Sequence, residues 1–386
     1  MFSTLALTML SGVSYARSIE YSTKVGNFSA YEGGLYQSVL DEENGALYVS
    51  SALGRPPIND SNILKVNSDS LKVEVDYAGK HFNNKTGVLA SYGIDLDQKN
   101  SRVWVTNTRQ NTVSFHSADD LSKVTTYPED SILGPRDIYV DQKTGYAYAS
   151  AAKSDVVIAF NPENTEGVEK TYNLTELTGQ DFSTVMSIVV DEEKQILYTA
   201  SMKSGKAVAL NLEDGTANAI DLGDAQSPSG LALDTKRNHL FVANQKSNDT
   251  VVVDVGSGEI LKTVSGTTGA LNAIYDSVYD VVYVSCRTGH AVAVIDAEDL
   301  SEITKLDVST PNQATVDSKG NVYVTDKNKT GPGLYKFTPK KSADNSTGNS
   351  TSPSPSTTTS AALADGAVSL SVPVAAGVVA AAALFI

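Results

Sequence analysis

An apolar run ending in aspartate recurs seven times along the chain: SVLD closing at Asp41, IDLD at Asp97, IYVD at Asp141, IVVD at Asp191, LALD at Asp234, AIYD at Asp276 and ATVD at Asp317. A second run follows each after a few polar residues: LYVSS from Leu47, VWVTN from Val103, AYASA from Ala147, LYTAS from Leu197, LFVAN from Leu240, VYVSC from Val282 and VYVTD from Val322. A polar loop and a third run complete each unit: ILKV, TVSF, VVIAF, AVALNL, VVVDV, AVAVID and GLYKF. Successive marker aspartates lie 56, 44, 50, 43, 42 and 41 residues apart. Repetition on that scale marks a fold made of copies, because one such unit cannot bury its own apolar faces.

The runs are short, rich in β-branched and aromatic residues, and bounded by Gly, Asn, Asp and Ser, so they read as strands. They are apolar on both faces, which requires cover on both. The marker aspartate suits a turn, its carboxylate accepting backbone N–H groups. A more polar fourth run follows most units: KVEVDY from Lys72, VTTYPE from Val124, EKTYNL from Glu169, ILKTVS from Ile260 and EITKLD from Glu302. Four antiparallel strands per period make a propeller blade. The seventh unit, ending at GLYKFTP, has no fourth run, whereas IEYSTKV at 19–25 precedes the first unit and resembles EITKL. The expected fold is all-β: a seven-bladed β-propeller of four-stranded antiparallel blades whose N-terminal strand closes the last blade and protects its edge.

The runs VWVTN, VYVTD and LFVAN, with loops such as NTRQNTV and NQKSNDTV, resemble the YVTN-type repeat of surface-layer and lactonase-like propellers over residues 18–339. The resemblance is specific for the fold, but that superfamily holds hydrolases, binding modules and structural proteins. It implies that ligands sit on the face gathering two sets of loops: those between second and third strands, and those leading into each first strand.

Two columns of residues fall on that face. The loops after the second strands carry Arg55, Arg109, Lys153, Lys203, Lys246, Arg287 and Lys327, a ring of cations able to hold a carboxylate, a phosphate or an acidic glycan. The competing reading is a set of solvated turn residues screened by Asp155, Asp249 and Asp326. Four residues before each marker aspartate stand Gln37, Gly93, Asp137, Ser187, Gly230, Asn272 and Gln313, preceded by Tyr36, Tyr92, Arg136, Met186, Ser229, Leu271 and Asn312. The oxygens of Gln37, Asp137, Asn272 and Gln313 are of the kind Ca²⁺ takes, in a central channel. The alternative is a channel of polar groups that satisfy one another, and one carboxylate is a low charge for a tight Ca²⁺ site.

The catalytic reading is weaker on the residues. In gluconolactonase-like propellers a first-blade Glu, Asn residues entering later strands and an Asp at a strand end hold a metal. Here Tyr36, Tyr92 and Ser229 stand at those entries, Asn312 and Asp326 fit singly, and Glu32 is displaced. The histidines are scattered at His81, His116, His239 and His290, and Cys286 has apolar neighbours that suit a small buried residue. No G-x-S-x-G, H-E-x-x-H or P-loop occurs.

Charge and chain ends narrow the setting. Asp plus Glu number 45 against 30 Lys plus Arg, a formal net charge of −15. Such a chain is repelled by phosphate backbones, so nucleic acid is not an expected partner. Residues 1–16, MFSTLALTMLSGVSYA, read as a signal peptide, against the alternative of a buried N-terminal strand. Residues 17–341 are the propeller, and 342–360 a Ser/Thr/Pro-rich stalk too polar to fold. Residues 361–386 read as the propeptide of a glycosylphosphatidylinositol (GPI) attachment signal, with Ser360 as the attachment residue and Asp365 or Gly366 as rivals. A C-terminal membrane span is the competing reading. Sequons at Asn27, Asn59, Asn84, Asn173, Asn248, Asn328, Asn345 and Asn349 agree with export. Together these predict a secreted, monomeric, non-catalytic propeller, tethered to a cell surface or wall through a GPI lipid. Its face would bind a wall polysaccharide, an anionic small molecule or lipid, or a surface protein. A lactonase-like or other hydrolase with a channel metal is the alternative.

Overall fold

Each strand is short because the polar turn residues recur every few positions. The computed structural model describes residues 17–340, and among them it contains seven four-stranded antiparallel sheets, a small two-stranded one and a single short helix, Leu174–Thr178. The segments expected to be a signal peptide, a stalk and an attachment propeptide, with Ser360 and the sequons at Asn345 and Asn349, lie outside the described residues.

The blades follow the repeat. In blade 1 the strands are Leu35–Asp41, Ala46–Ala52, Ser61–Asn67 and Val73–Ala78, paired in that order. Blades 2 to 6 repeat the meander, with inner strands Ile94–Asp97, Pro135–Val140, Val185–Asp191, Pro228–Asp234 and Ala270–Asp276. The marker aspartates do what their position suggests. Asp41 accepts Asn44 N–H at 3.2 Å, Asp97 that of Asn100 at 3.0 Å, and Asp317 those of Lys319 and Asn321. Blade 4, whose fourth run carried no clear signal in the sequence, completes itself with Ala217–Asp221.

Blade 7 takes three strands from the C-terminal part of the fold, Pro311–Val316, Val322–Asp326 and Gly333–Pro339, and its outermost from Tyr21–Asn27. The seven-residue register runs from Tyr21 opposite Pro339 to Asn27 opposite Gly333. Tyr21 also reaches blade 6, its hydroxyl 3.0 Å from that of Tyr283 and the two rings edge to face.

Among the described residues the apolar core is divided into seven masses, each between two neighbouring blades, and a small eighth cluster around Ile58 and Tyr92. Phe241 and Val252 of blade 5 meet Val282 and Val284 of blade 6, for example, and Leu47 and Val49 of blade 1 meet Tyr323 and Leu334 of blade 7. The inner strands contact one another around the complete circle, blade 7 against blade 1 included. Two of the closest approaches need glycine. A Cβ on Gly230 would lie 2.3 Å from the Asn272 Cα, and one on Gly93 would lie 2.7 Å from the Arg136 carbonyl oxygen.

Deleting residues 17–27 would strip the last blade of a seven-residue ladder and uncover the aromatic contact to Tyr283. The expected cost is about 3–5 kcal/mol, from lost pairing and burial together. Chemical denaturation of the truncated and full chains measures it, and equal midpoints would refute the closure.

Candidate functional site

The channel mouth is built from a bulge near the start of the inner strands. In six of the seven blades the pairing with the second strand slips there: at Tyr36–Gln37, Arg136–Asp137, Met186–Ser187, Ser229, Leu271 and Asn312. Such a slip turns side chains out of the ladder and leaves backbone groups to be satisfied elsewhere. Hydroxyls do much of this. Ser50 Oγ donates to the Tyr92 carbonyl, Ser150 Oγ to that of Met186, Ser229 Oγ to that of Leu271 at 2.9 Å, and Thr325 Oγ1 to that of Tyr36 at 2.9 Å. Each of these bonds crosses from one blade to the next.

The four channel residues with amide or carboxylate oxygens join the same work. Gln37 Nε2 donates to Asp137 Oδ1 at 3.1 Å, and Gln37 Oε1 accepts Ile94 N–H. Asp137 Oδ2 accepts Ile188 N–H at 3.0 Å, and Gln313 Oε1 accepts Ser38 N–H at 3.0 Å. Asn272 Oδ1 accepts from Ser187 Oγ at 3.1 Å while its Nδ2 donates to the Asn312 carbonyl at 2.7 Å. Every oxygen of the expected Ca²⁺ set therefore accepts a hydrogen bond from the ring, and the set caps strand N–H groups across blades. Below it, burial raises the Asp95 carboxyl to about 7 against the pull of two backbone donors, Val140 and Leu96.

The seven rim cations differ in exposure. Arg55, Lys153, Lys203 and Lys246 are exposed, whereas Arg109, Arg287 and Lys327 are half-buried. Arg287 lies in the field of Arg136, which belongs to the column of residues preceding the channel set and was not singled out as a cation by sequence alone. Lys327 Nζ lies 3.5 Å from the centroid of the Tyr36 ring and donates to the Gly33 carbonyl. Arg109 lies over Tyr92 at 5.7 Å, and Tyr36 and Tyr92 pack edge to face at 4.6 Å. Arg287 Nη2 donates to Asn312 Oδ1, while the enclosed Arg287 Nε has no partner among the described residues.

Tyr92 owes its place to the insertion between blades 1 and 2. That segment forms a small hairpin, His81–Asn83 with Gly87–Val88, and packs Ile58, Ala90 and Tyr92 into an apolar cluster beside Tyr36. Buried Gln110 ties it to blade 2, donating from Nε2 to the Val88 carbonyl at 2.6 Å and accepting Ala90 N–H. The sequence showed the insertion's length but not that it walls the mouth.

The remaining candidates are dispersed. His81 and His290 are exposed, and His116 is buried and held down to about 4 by that burial. Cys286 is buried as expected, and desolvation lifts its thiol to about 11, far from a nucleophile's range. Asn27, Asn59, Asn84 and Asn248 are exposed, and Asn173 and Asn328 half-buried. Asn173 caps the short helix by accepting Glu176 N–H through Oδ1, which leaves its Nδ2 outside that bond.

A circular fold with a hydrogen-bonded axis and a cationic, tyrosine-walled channel mouth defines a seven-bladed β-propeller. Residues 44–270 match the family described as lactonase, 7-bladed beta-propeller, and the chain belongs to that family. It is 24% identical to the YncE protein of Salmonella typhi over 312 residues, covering 77% of this chain and 83% of that one. Among solved structures, a streptogramin B lyase aligns with a TM-score of 0.65 at 15% identity, over 83% of this chain and 98% of the other. A virginiamycin B lyase from Staphylococcus aureus aligns at 0.66 and 12% identity, over 83% and 99%. These two are likenesses of fold.

Burial, then the Arg287 and Lys329 charges, pull Lys327 from 10.5 down to about 7. The unfolded chain then binds more protons than the native one between about pH 7 and 10.5, so this residue makes stability rise with pH across that window. Lys327→Met is expected to flatten that rise, with its gain relative to wild type largest below pH 7. Melting temperatures at pH 6, 8 and 10 test this, and a pH-independent difference between the two proteins would refute it.

Proposed function

We propose that the chain is a non-catalytic binding propeller, secreted and held at a cell surface or wall by a GPI lipid, whose channel mouth takes an anionic ligand. The observation that carries the binding part is the division of labour along the axis. The polar side chains inside the channel hold the blades to one another, whereas the rim above gathers half-buried cations around paired tyrosines. That combination suits an acidic glycan, a small anion or an anionic lipid headgroup, with affinity that falls as salt rises. The placement at the surface rests on the sequence: the apolar start, the Ser/Thr/Pro tract and the uncharged apolar end.

Membership of the lactonase family favours a second reading, a hydrolase acting around Asp137, Asn272 and Gln313. One set of measurements on the full chain separates the two. The binding reading expects capture of acidic ligands from a glycan and metabolite array, weakened by salt and by Arg109→Glu, with no turnover. Divalent metal in the purified protein, with lactone opening that Asp137→Ala abolishes, would replace it by the hydrolase. For the anchor, a phosphatidylinositol-specific phospholipase is expected to release the protein from membranes, and retention beside a released control would refute the tether.

A further inference from the structure

The channel mouth holds more positive charge than its own groups answer. Arg136 comes from the bulge of blade 3, Arg287 follows the second strand of blade 6, Val281–Cys286, and Lys327 follows Val322–Asp326 in blade 7. All three are half-buried, and none forms an ion pair among the described residues. The carboxylates at hand are committed elsewhere: Asp137 to Gln37 and Ile188 N–H, and Asp326 to the N–H groups of Thr310 and Asn328. Arg287 Nε is enclosed and has no partner among the described residues.

The electrostatics agree with that geometry. Burial and the Arg136 charge both work against the charged form of Arg287, and the Arg287 charge works in turn against Lys327. Both guanidiniums nevertheless stay protonated at neutral pH, so the repulsion between Arg136 and Arg287 is retained rather than relieved, and an oxyanion would draw Lys327 back to its charged form. Half-buried like charges are unfavourable unless a counter-charge joins them, and two guanidinium forks beside an ammonium match the oxygens of a phosphate or carboxylate.

We propose that Arg136, Arg287 and Lys327 bind the oxyanion group of a small ligand, a phosphate or a carboxylate, above Asn312 and beside the paired rings of Tyr36 and Tyr92. The proposal rests on the reading of this rim as the ligand face. Asn312 fixes Arg287 from below through its Oδ1, and is itself held by donating to the Tyr36 carbonyl. The arginine fork is thus set before any ligand arrives. The tyrosines supply an apolar and aromatic wall on one side, so the favoured ligand is compact, with a charged end and a flat or apolar body.

The test uses the full chain with inorganic phosphate and with citrate, in buffers matched for ionic strength with sodium chloride. Saturable heat by titration calorimetry and a rise in melting temperature are expected with at least one of the two, and which one identifies the oxyanion. Arg136→Gln and Arg287→Gln are each expected to weaken that binding by about tenfold or more, the loss of one charge-assisted contact. Without any anion, Arg136→Gln should melt at or above the wild-type temperature, because a repulsion has been removed; a merely structural arginine would give a lower one. The site falls if neither anion acts beyond sodium chloride, if the variants bind as well as wild type, or if Arg136→Gln alone is destabilised without anion. Should acidic glycans or other ligands still bind the wild-type rim when phosphate and citrate do not, the ligand face stands and this assignment of its chemistry is lost.

Discussion

Burial between blades is the interaction on which the rest of the molecule depends. A single blade is a twisted four-stranded sheet with apolar side chains on both faces, and no arrangement within one blade hides both. Side by side in a circle, each face meets the next, and the seven interblade cores result. Because the circle has no end, removing any one junction uncovers apolar surface on two sheets. The N-terminal strand joins the first part of the fold to its last blade, so the junction that closes the circle is also a direct link between distant parts of the chain.

A second consequence lies along the axis. Inner strands converge there, and their bulges leave backbone N–H and carbonyl groups facing a narrow channel rather than a partner strand. Hydroxyls on the second strand of the same blade accept some of the N–H groups, and hydroxyl, amide and carboxylate side chains from other blades answer the rest. This accounts for the polar character of the channel column without any ligand. It also moves the search for function upward, to groups that the ring leaves unanswered. At the mouth, Asn312 serves both purposes: its Nδ2 helps hold blade 7 to blade 1, and its Oδ1 fixes Arg287.

Some of this was legible in the sequence for a plain reason. Turn aspartates, strand-length apolar runs and a missing fourth strand are local features, and the spare strand at 19–25 matched the gap in both length and polarity. The site was less legible. Seven basic residues occupy equivalent loops, yet four are exposed and three half-buried, and loops of equal length fall in both groups, so the local pattern does not separate them. Arg136 was visible only as one member of a column otherwise made of Tyr, Met, Ser, Leu and Asn. Nothing local marks it as the neighbour of Arg287, about 150 residues away in the chain, since repeats of a few tens of residues bring such distant loops together around one axis.

The amino-acid sequence by itself determined the blade, the number of blades, the turn chemistry and the strand that closes the circle, since each follows from periodicity and from the need to cover two apolar faces. Only the tertiary structure decided which loop residues meet at the channel mouth, which polar side chains are consumed in joining blades, and that Tyr92 is carried there by an insertion. Those outcomes depend on directions set by bulges and on contacts between residues far apart in the chain. A one-dimensional pattern carries periodicity, but it does not carry direction.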